Sequence, residues 1–162
     1  GKIPVVVPVG IDQDPHLRLA RDLSKRIKDL DFIQVSSTYN KFIPGLKGGK
    51  MSSSDPTSFI SLADSSKEVE TKIKKYAFSG GRDTLEEHRK LGGNPDIDVS
   101  FQYLRFLFEE DDKVLQKIYN DYKSGKMLTS ELKGIAIEKI NFFLKEHQKK
   151  KEQARSKIKD FI

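Results

Sequence analysis

The chain has 162 residues, which sets one domain or two small ones, and its 30 Lys and Arg against 24 Asp and Glu give a net charge of +6 that favours an anionic partner. Ten Phe, five Tyr and many Ile and Leu suffice for a core although 33% of residues are charged, which excludes wholesale disorder. The absence of cysteine excludes disulfides, thiolate metal sites and a cysteine nucleophile, and suits a reducing compartment such as the cytosol, while no apolar run approaches the ~20 residues of a membrane span.

The opening Gly1-Lys2-Ile3-Pro4 lacks the apolar stretch of a signal peptide. Ile3 to Val9 is a β-branched run, which predicts a strand buried on both faces as in a parallel sheet. Gly10-Ile11-Asp12-Gln13 is expected as a loop, with Asp14 capping the next helix and Pro15 in its first position. Leu17, Ala20, Leu23 and Ile27 follow at helical spacing, and Phe32 to Val35 is the second candidate strand. This is a β–loop–α–β order, with the loop at the strand's C-terminal end, where parallel sheets bind ligands.

Tyr39 to Thr57 is loop-like, rich in Gly, Ser and Pro. From about Asp64 the pattern becomes helical. Ser65 and Glu68 have capping-box spacing for a helix to about Tyr76, and Ser79-Gly80-Gly81 breaks it. A short helix is opened by Asp83 or Thr84, with Glu86 completing a box on Asp83, and Gly92-Gly93 ends it. Asp98 starts the next, with Phe101, Leu104, Leu107 and Phe108 on its apolar side. Another runs from about Asp112 to Ser124, stopped by Gly125. Thr129 or Ser130 opens the last and longest. Its end, from Lys145 to Asp160, carries seven basic and three acidic residues and reads as a solvated face or as a tRNA- or partner-facing surface.

Three stretches could carry chemistry. Gly48-Gly49-Lys50-Met51-Ser52-Ser53-Ser54-Asp55-Pro56 offers permissive glycines, hydroxyl and N–H donors for phosphate oxygens, and mobile charge on Lys47 and Lys50. On residue type alone it reads as a flexible linker or as a phosphate-binding loop. It lacks P-loop spacing, and Ser52 has no His and Asp in a hydrolase pattern. In Gly10–Pro15, Gly10 permits close approach of a flat ligand and Gln13 can orient an amino acid's polar groups; the other reading is a helix start with Asp12 and Asp14 as caps. In Phe78–Arg89, Arg82 can bond a phosphate or a base edge and Asp83 can accept from a base amino group, or the stretch is a Gly-Gly turn with a cap. His16, His88 and His147 are too scattered for a histidine-rich metal site, and His88 reads as structural.

Together these stretches resemble a known family. Lys50-Met51-Ser52-Ser53-Ser54 resembles the KMSKS signature of class I aminoacyl-tRNA synthetases, standing after a β–loop–α–β segment and before helices as in that family. Ile11-Asp12-Gln13-Asp14-Pro15 and Ala77-Phe78-Ser79-Gly80-Gly81-Arg82-Asp83-Thr84 resemble the eukaryotic and archaeal type of tryptophanyl-tRNA synthetase, and Asn94 to Phe101 continues the match. Tyrosyl-tRNA synthetases can carry the same Lys-Met-Ser-Ser-Ser variant, but they typically have basic residues after the Asp-Gln pair, where this chain has Asp14-Pro15.

The resemblance implies an α/β part followed by an all-α part. Residues 1–63 would be the C-terminal part of a Rossmann-type catalytic domain with the KMSKS-like loop, and 64–162 a helical anticodon-binding domain. It implies ATP-dependent activation of tryptophan and transfer to its tRNA in the cytoplasm, by a homodimer that needs Mg²⁺ with ATP and names no metal ligand here. Lys50, Met51, Ser52 and Ser54 would bind ATP, with Lys50 countering charge on the leaving pyrophosphate. Gly10 and Ile11 would line the tryptophan pocket, Gln13 would hold its amino group, and Arg82, Asp83 and Lys133 would lie in the anticodon-reading region.

Two departures stand out. Ser53 occupies the place where many members have a second lysine, and Lys47 is its nearest replacement. The His-x-Gly-His motif is absent, since His16 is followed by Leu17 and Arg18, so the chain is expected to be part of a longer polypeptide and inactive alone. The alternatives are a non-catalytic tRNA-binding module, a tyrosyl-tRNA synthetase and a structural or protein-interaction helical domain.

Overall fold

A computed structural model describes residues 3–27, 29, 32–155 and 157–158. Contacts divide the chain into two compact units, Gly1–Phe42 and Ile43–Ile162.

In the first unit, β1 (Val6–Gly10) and β2 (Ser36–Asn40) pair in parallel, joined by α1 (Asp14–Arg26). Val6 faces Ser36 and Gly10 faces Asn40. The order is the one the sequence predicts, but both strands lie further along the chain than Ile3–Val9 and Phe32–Val35. Arg21 accounts for the place of β2: its Nε donates to Val35 O at 2.9 Å and its Nη2 to Ser37 Oγ at 2.5 Å. Val35 is thereby bonded to a side chain, and the ladder begins one residue later, where Ser36 N–H donates to Val5 O at 3.0 Å. The apolar run predicts burial on both faces, yet Val6 is 60% exposed, because two strands and one helix cover little of a sheet's two faces. Ile11–Gln13, expected as loop, winds into a 3₁₀ turn that leads directly into α1. Asp14 is therefore the first helical residue and not the cap; Gln13 holds the cap position without a side-chain bond. The Asp14 carboxylate instead accepts from Tyr39 OH and pairs with Arg18 Nε at 2.6 Å.

The second unit is helical. α2 (Ser66–Tyr76) opens on the expected capping box, with Glu68 N–H donating to Ser65 Oγ at 3.3 Å and Ser65 N–H to Glu68 Oε2 at 2.7 Å. α3 (Leu85–Leu91) is capped by Thr84, which accepts from Glu87 N–H at 3.1 Å, so the box on Asp83 and Glu86 does not form. Asp98 caps α4 (Val99–Tyr103). The helix expected to continue through Phe108 widens into a π-helical turn over Leu104–Phe108, closed by Glu109 N–H donating to Leu104 O at 2.9 Å. α5 (Asp112–Lys123) is capped by Asp111 and stopped at Gly125, whose φ of +75° favours glycine. α6 (Thr129–Arg155) packs across α2, α4 and α5. Val69 and Ile73 of α2 meet Leu104, Tyr122, Leu132 and Ile140 in the core. Leu46 joins them, fully buried: its N–H donates to Ser58 O and its carbonyl accepts from Phe78 N–H, both at 2.7 Å. Residues 43–63 thus pack with the helices that follow them. No helix of the described residues is long and apolar enough to cross a membrane.

Candidate functional site

Residues 45–58 form a loop pinned on both sides of an outward tip. On one side Gly45 N–H donates to Gly49 O at 2.6 Å and Gly48 N–H to Gly45 O at 2.8 Å, with Gly48 at φ +84°. On the other, the Ser58 hydroxyl, in a residue only 4% exposed, lies as donor 2.7 Å from Asp55 O and 3.1 Å from Ser52 O and accepts from Ser52 N–H at 3.0 Å. Asp55 ties the sides together. Its Oδ2 accepts from Lys47 Nζ at 2.8 Å and its Oδ1 from Thr57 N–H at 3.0 Å and the Thr57 hydroxyl at 2.5 Å. Lys47 first, and then Thr57, hold the Asp55 carboxyl at about 2, below its ordinary 3.8.

The tip, Lys50 to Ser54, is exposed throughout. The Ser52 and Ser54 hydroxyls stand 2.8 Å apart. Lys50 makes no hydrogen bond or ion pair with any described residue, whereas Lys47 is committed to Asp55. A glycine turn, two adjacent hydroxyls and one free ammonium are donors suited to phosphate oxygens.

In the first unit, Gly10, Ile11 and Gln13 share one turn at the C-terminal end of β1. A Cβ on Gly10 would come 2.8 Å from Asp12 Oδ1 and 3.2 Å from the Phe42 ring, so glycine keeps the strand end open. Ile11 is exposed, and Gln13 Nε2 donates to Asp12 Oδ2 at 3.2 Å, which leaves its amide oxygen outward.

Arg82 and Asp83 follow a turn that is rigid for a buried reason. Asp98, fully buried, accepts from Gly80 N–H at 2.8 Å, Ser100 N–H at 2.9 Å and Tyr122 OH at 2.9 Å. Asn94 N–H donates to Gly80 O at 2.7 Å, and a Cβ on Gly80 would collide with the Asn94 carbonyl. Arg82 Nε donates to Gly92 O at 3.0 Å, which orients the guanidinium and leaves its terminal nitrogens outward. Asp83 is exposed with no partner among the described residues. Lys133 is placed differently: its Nζ donates to Lys74 O at 3.2 Å, in the last turn of α2, and no bond joins it to Arg82 or Asp83. Burial holds its pKa below the ordinary lysine value, against the opposing charge of Asp98. His88 is buried on Tyr122, with Nε2 2.9 Å from Met127 O, a structural place. Among the described residues no three His, Asp or Glu could together hold a metal ion.

Sequence reasoning passed over Ser58, Asp55 and Asp98 as site-building residues. Asp55 and Thr57 have the two-residue spacing of an Asx turn, which is a usable signal. Nothing local marks Ser58, and Asp98 is locally legible only as a helix cap, its bonds to Gly80 and Tyr122 spanning 18 and 24 residues.

Comparison with known proteins gives a consistent answer. The model of the family described as tRNA synthetases class I (W and Y) matches residues 3–145. The chain is 53% identical over 158 residues to a tryptophan–tRNA ligase of Sulfurisphaera tokodaii, covering 96% of this chain and 41% of that protein. It is 47% identical over 163 residues to the cytoplasmic tryptophan–tRNA ligase of Homo sapiens, covering 99% of this chain and 34% of that protein. The crystal structure of tryptophanyl-tRNA synthetase from Aeropyrum pernix superposes with a TM-score of 0.89 at 45% identity, covering 94% of this chain and 42% of that one. The chain therefore spans well under half the length of the relatives it matches.

Proposed function

The chain belongs to the tRNA synthetases of class I (W and Y), and from that premise we propose that the protein carrying it is a tryptophan–tRNA ligase. Its fold is a class I synthetase fold with a partial α/β sheet and mostly helices. In this reading residues 1–63 belong to the Rossmann-type catalytic domain and 64–162 form the anticodon-binding domain.

The observation that carries the reading is the loop tip: Lys50 without a partner among the described residues, beside hydroxyls of Ser52 and Ser54 only 2.8 Å apart. Met51 backbone and the two serine hydroxyls bind the phosphates of ATP, on which Mg²⁺ arrives. Lys50 opposes the negative charge that grows on pyrophosphate as tryptophan's carboxylate displaces it at the α-phosphorus. Gly10 and Ile11 bound the tryptophan side chain, and Gln13, oriented by Asp12, holds the amino group. Arg82, held at Gly92 by one nitrogen, and Asp83, without a partner among the described residues, read anticodon bases, and the half-buried Lys133, held at Lys74 O, adds its charge to the same domain. A homodimer in the cytoplasm completes the proposal.

Charging tests it. The protein that carries this chain, given ATP, Mg²⁺ and labelled tryptophan, should attach label to the tRNA for tryptophan. Steeply salt-dependent tRNA binding without charging or amino-acid activation would favour the non-catalytic tRNA-binding module instead, for which the basic, exposed end of α6 is the supporting feature.

A further inference from the structure

We infer that Met51 is the positioning residue for Lys50: its side chain seats in an apolar cavity of the helical unit and so sets where the neighbouring ammonium stands. The inference rests on the nucleotide reading of the loop and adds to it the means by which the tip is held.

The polar anchors stop short of the tip. The glycine turn is pinned as far as Gly49 O, and pinning resumes at Ser52 N–H. Between them the backbones of Lys50 and Met51 make no hydrogen bond with any described residue. A lysine with neither backbone nor side-chain tether would spread over many positions. What remains to hold it is Met51, which is 39% exposed and whose side chain lines an apolar cavity.

The cavity has a volume of about 310 Å³. Met51 lines it with Tyr103, with Leu107 and Phe108 from the π-helical turn, and with Ile140 and Phe143 from α6. The wide turn lets Leu107 and Phe108, adjacent in sequence, line the same space. The Phe108 and Phe143 rings meet edge to face, 5.6 Å between centroids. Methionine suits this wall: its unbranched chain adapts to irregular space, and its sulfur contacts aromatic rings favourably. Seating Met51 against this apolar wall restrains Lys50 one residue away.

The chain contains two methionines, Met51 and Met127, so a ¹³C-methyl-methionine spectrum has two signals and Met51→Leu assigns them. The Met51 methyl should be shifted upfield by the rings, and Phe143→Ala should move it toward its free position while Met127 stays. Phe143 is 46% exposed, so this substitution leaves the core intact; Leu62, which also lines the cavity and is 52% exposed, gives the second probe as Leu62→Ala. Backbone amide signals of the loop, in the protein that carries this chain, then report titration with Mg²⁺-ATP. Met51→Ala should weaken the response about tenfold, and Met51→Leu should restore it to within about twofold. A Met51 methyl at its free position, or nucleotide affinity indifferent to Met51→Ala, overturns the inference. In the protein that carries this chain, loop amides of the unsubstituted form that ignore Mg²⁺-ATP overturn the nucleotide reading itself, wherever the methyl lies.

Discussion

Lys47 Nζ stands 2.8 Å from Asp55 Oδ2 across the loop whose tip is Lys50. The cation nearest the tip in sequence is thus a fastener. Among the described residues of the loop the charge available to a phosphate is Lys50 alone, and the place where many relatives of this motif have lysine is left to the Ser53 hydroxyl. The ion pair is exposed and owes its value to geometry more than to Coulomb energy.

Its pH dependence follows from Asp55. The folded carboxyl titrates at about 2 against an ordinary 3.8, so the charged form is favoured in the folded loop. The contribution is present above 3.8 and is lost as pH falls through about 2. Amide protection of residues 47–58 should hold steady at neutral pH and collapse in that acid window. Asp55→Asn should weaken protection at neutral pH and remove the acid step, whereas Lys47→Ala should shift the step upward.

Lys50→Ala should slow ATP–pyrophosphate exchange by about 100-fold, the scale of one lost charge-stabilising group, and leave tRNA affinity within about twofold. Equal loss of both activities would show that the loop serves folding.

Asp98 is a stability determinant. Asp98→Ala strands Gly80 N–H and Ser100 N–H in a buried place and leaves Tyr122 OH to the Thr129 and Ser79 hydroxyls, and should cost about 3 kcal/mol in urea unfolding. Tyr122→Phe should cost about 1 kcal/mol, and the double variant less than the sum because the two share a bond.

Arg82→Ala should weaken binding of the tRNA for tryptophan by about 10- to 100-fold. The salt slope separates its two possible targets. An unchanged slope with relaxed sequence preference marks a base contact, and a slope reduced by about one marks a phosphate. Arg82→Lys should not rescue, since lysine has no Nε–H to hold Gly92 O while its head reaches outward.

What the sequence made legible was local. The capping box on Ser65 and Glu68, the Asp98 cap and the Gly125 stop each involve partners within a few residues, and each forms. The β–loop–α–β order and the helical remainder were legible from periodicity. The position of β2 was not, because Arg21, 14 residues away, decides it. Asp14 read as a cap because a 3₁₀ turn before the helix leaves no local mark. The widening at Leu104 follows no breaker residue, and periodicity alone ran the helix through it. At the loop, the motif exposed Lys50, Ser52 and Ser54; Asp55 carried only the Asx-turn spacing to Thr57 as a signal, and Ser58 became visible only through its bonds and burial.

ATP–pyrophosphate exchange by the protein that carries this chain, with tryptophan and tyrosine supplied separately, tests the central claim most directly. Exchange with tryptophan, absent with tyrosine and depressed by Lys50→Ala, is the predicted result. Exchange with tyrosine and none with tryptophan would contradict it.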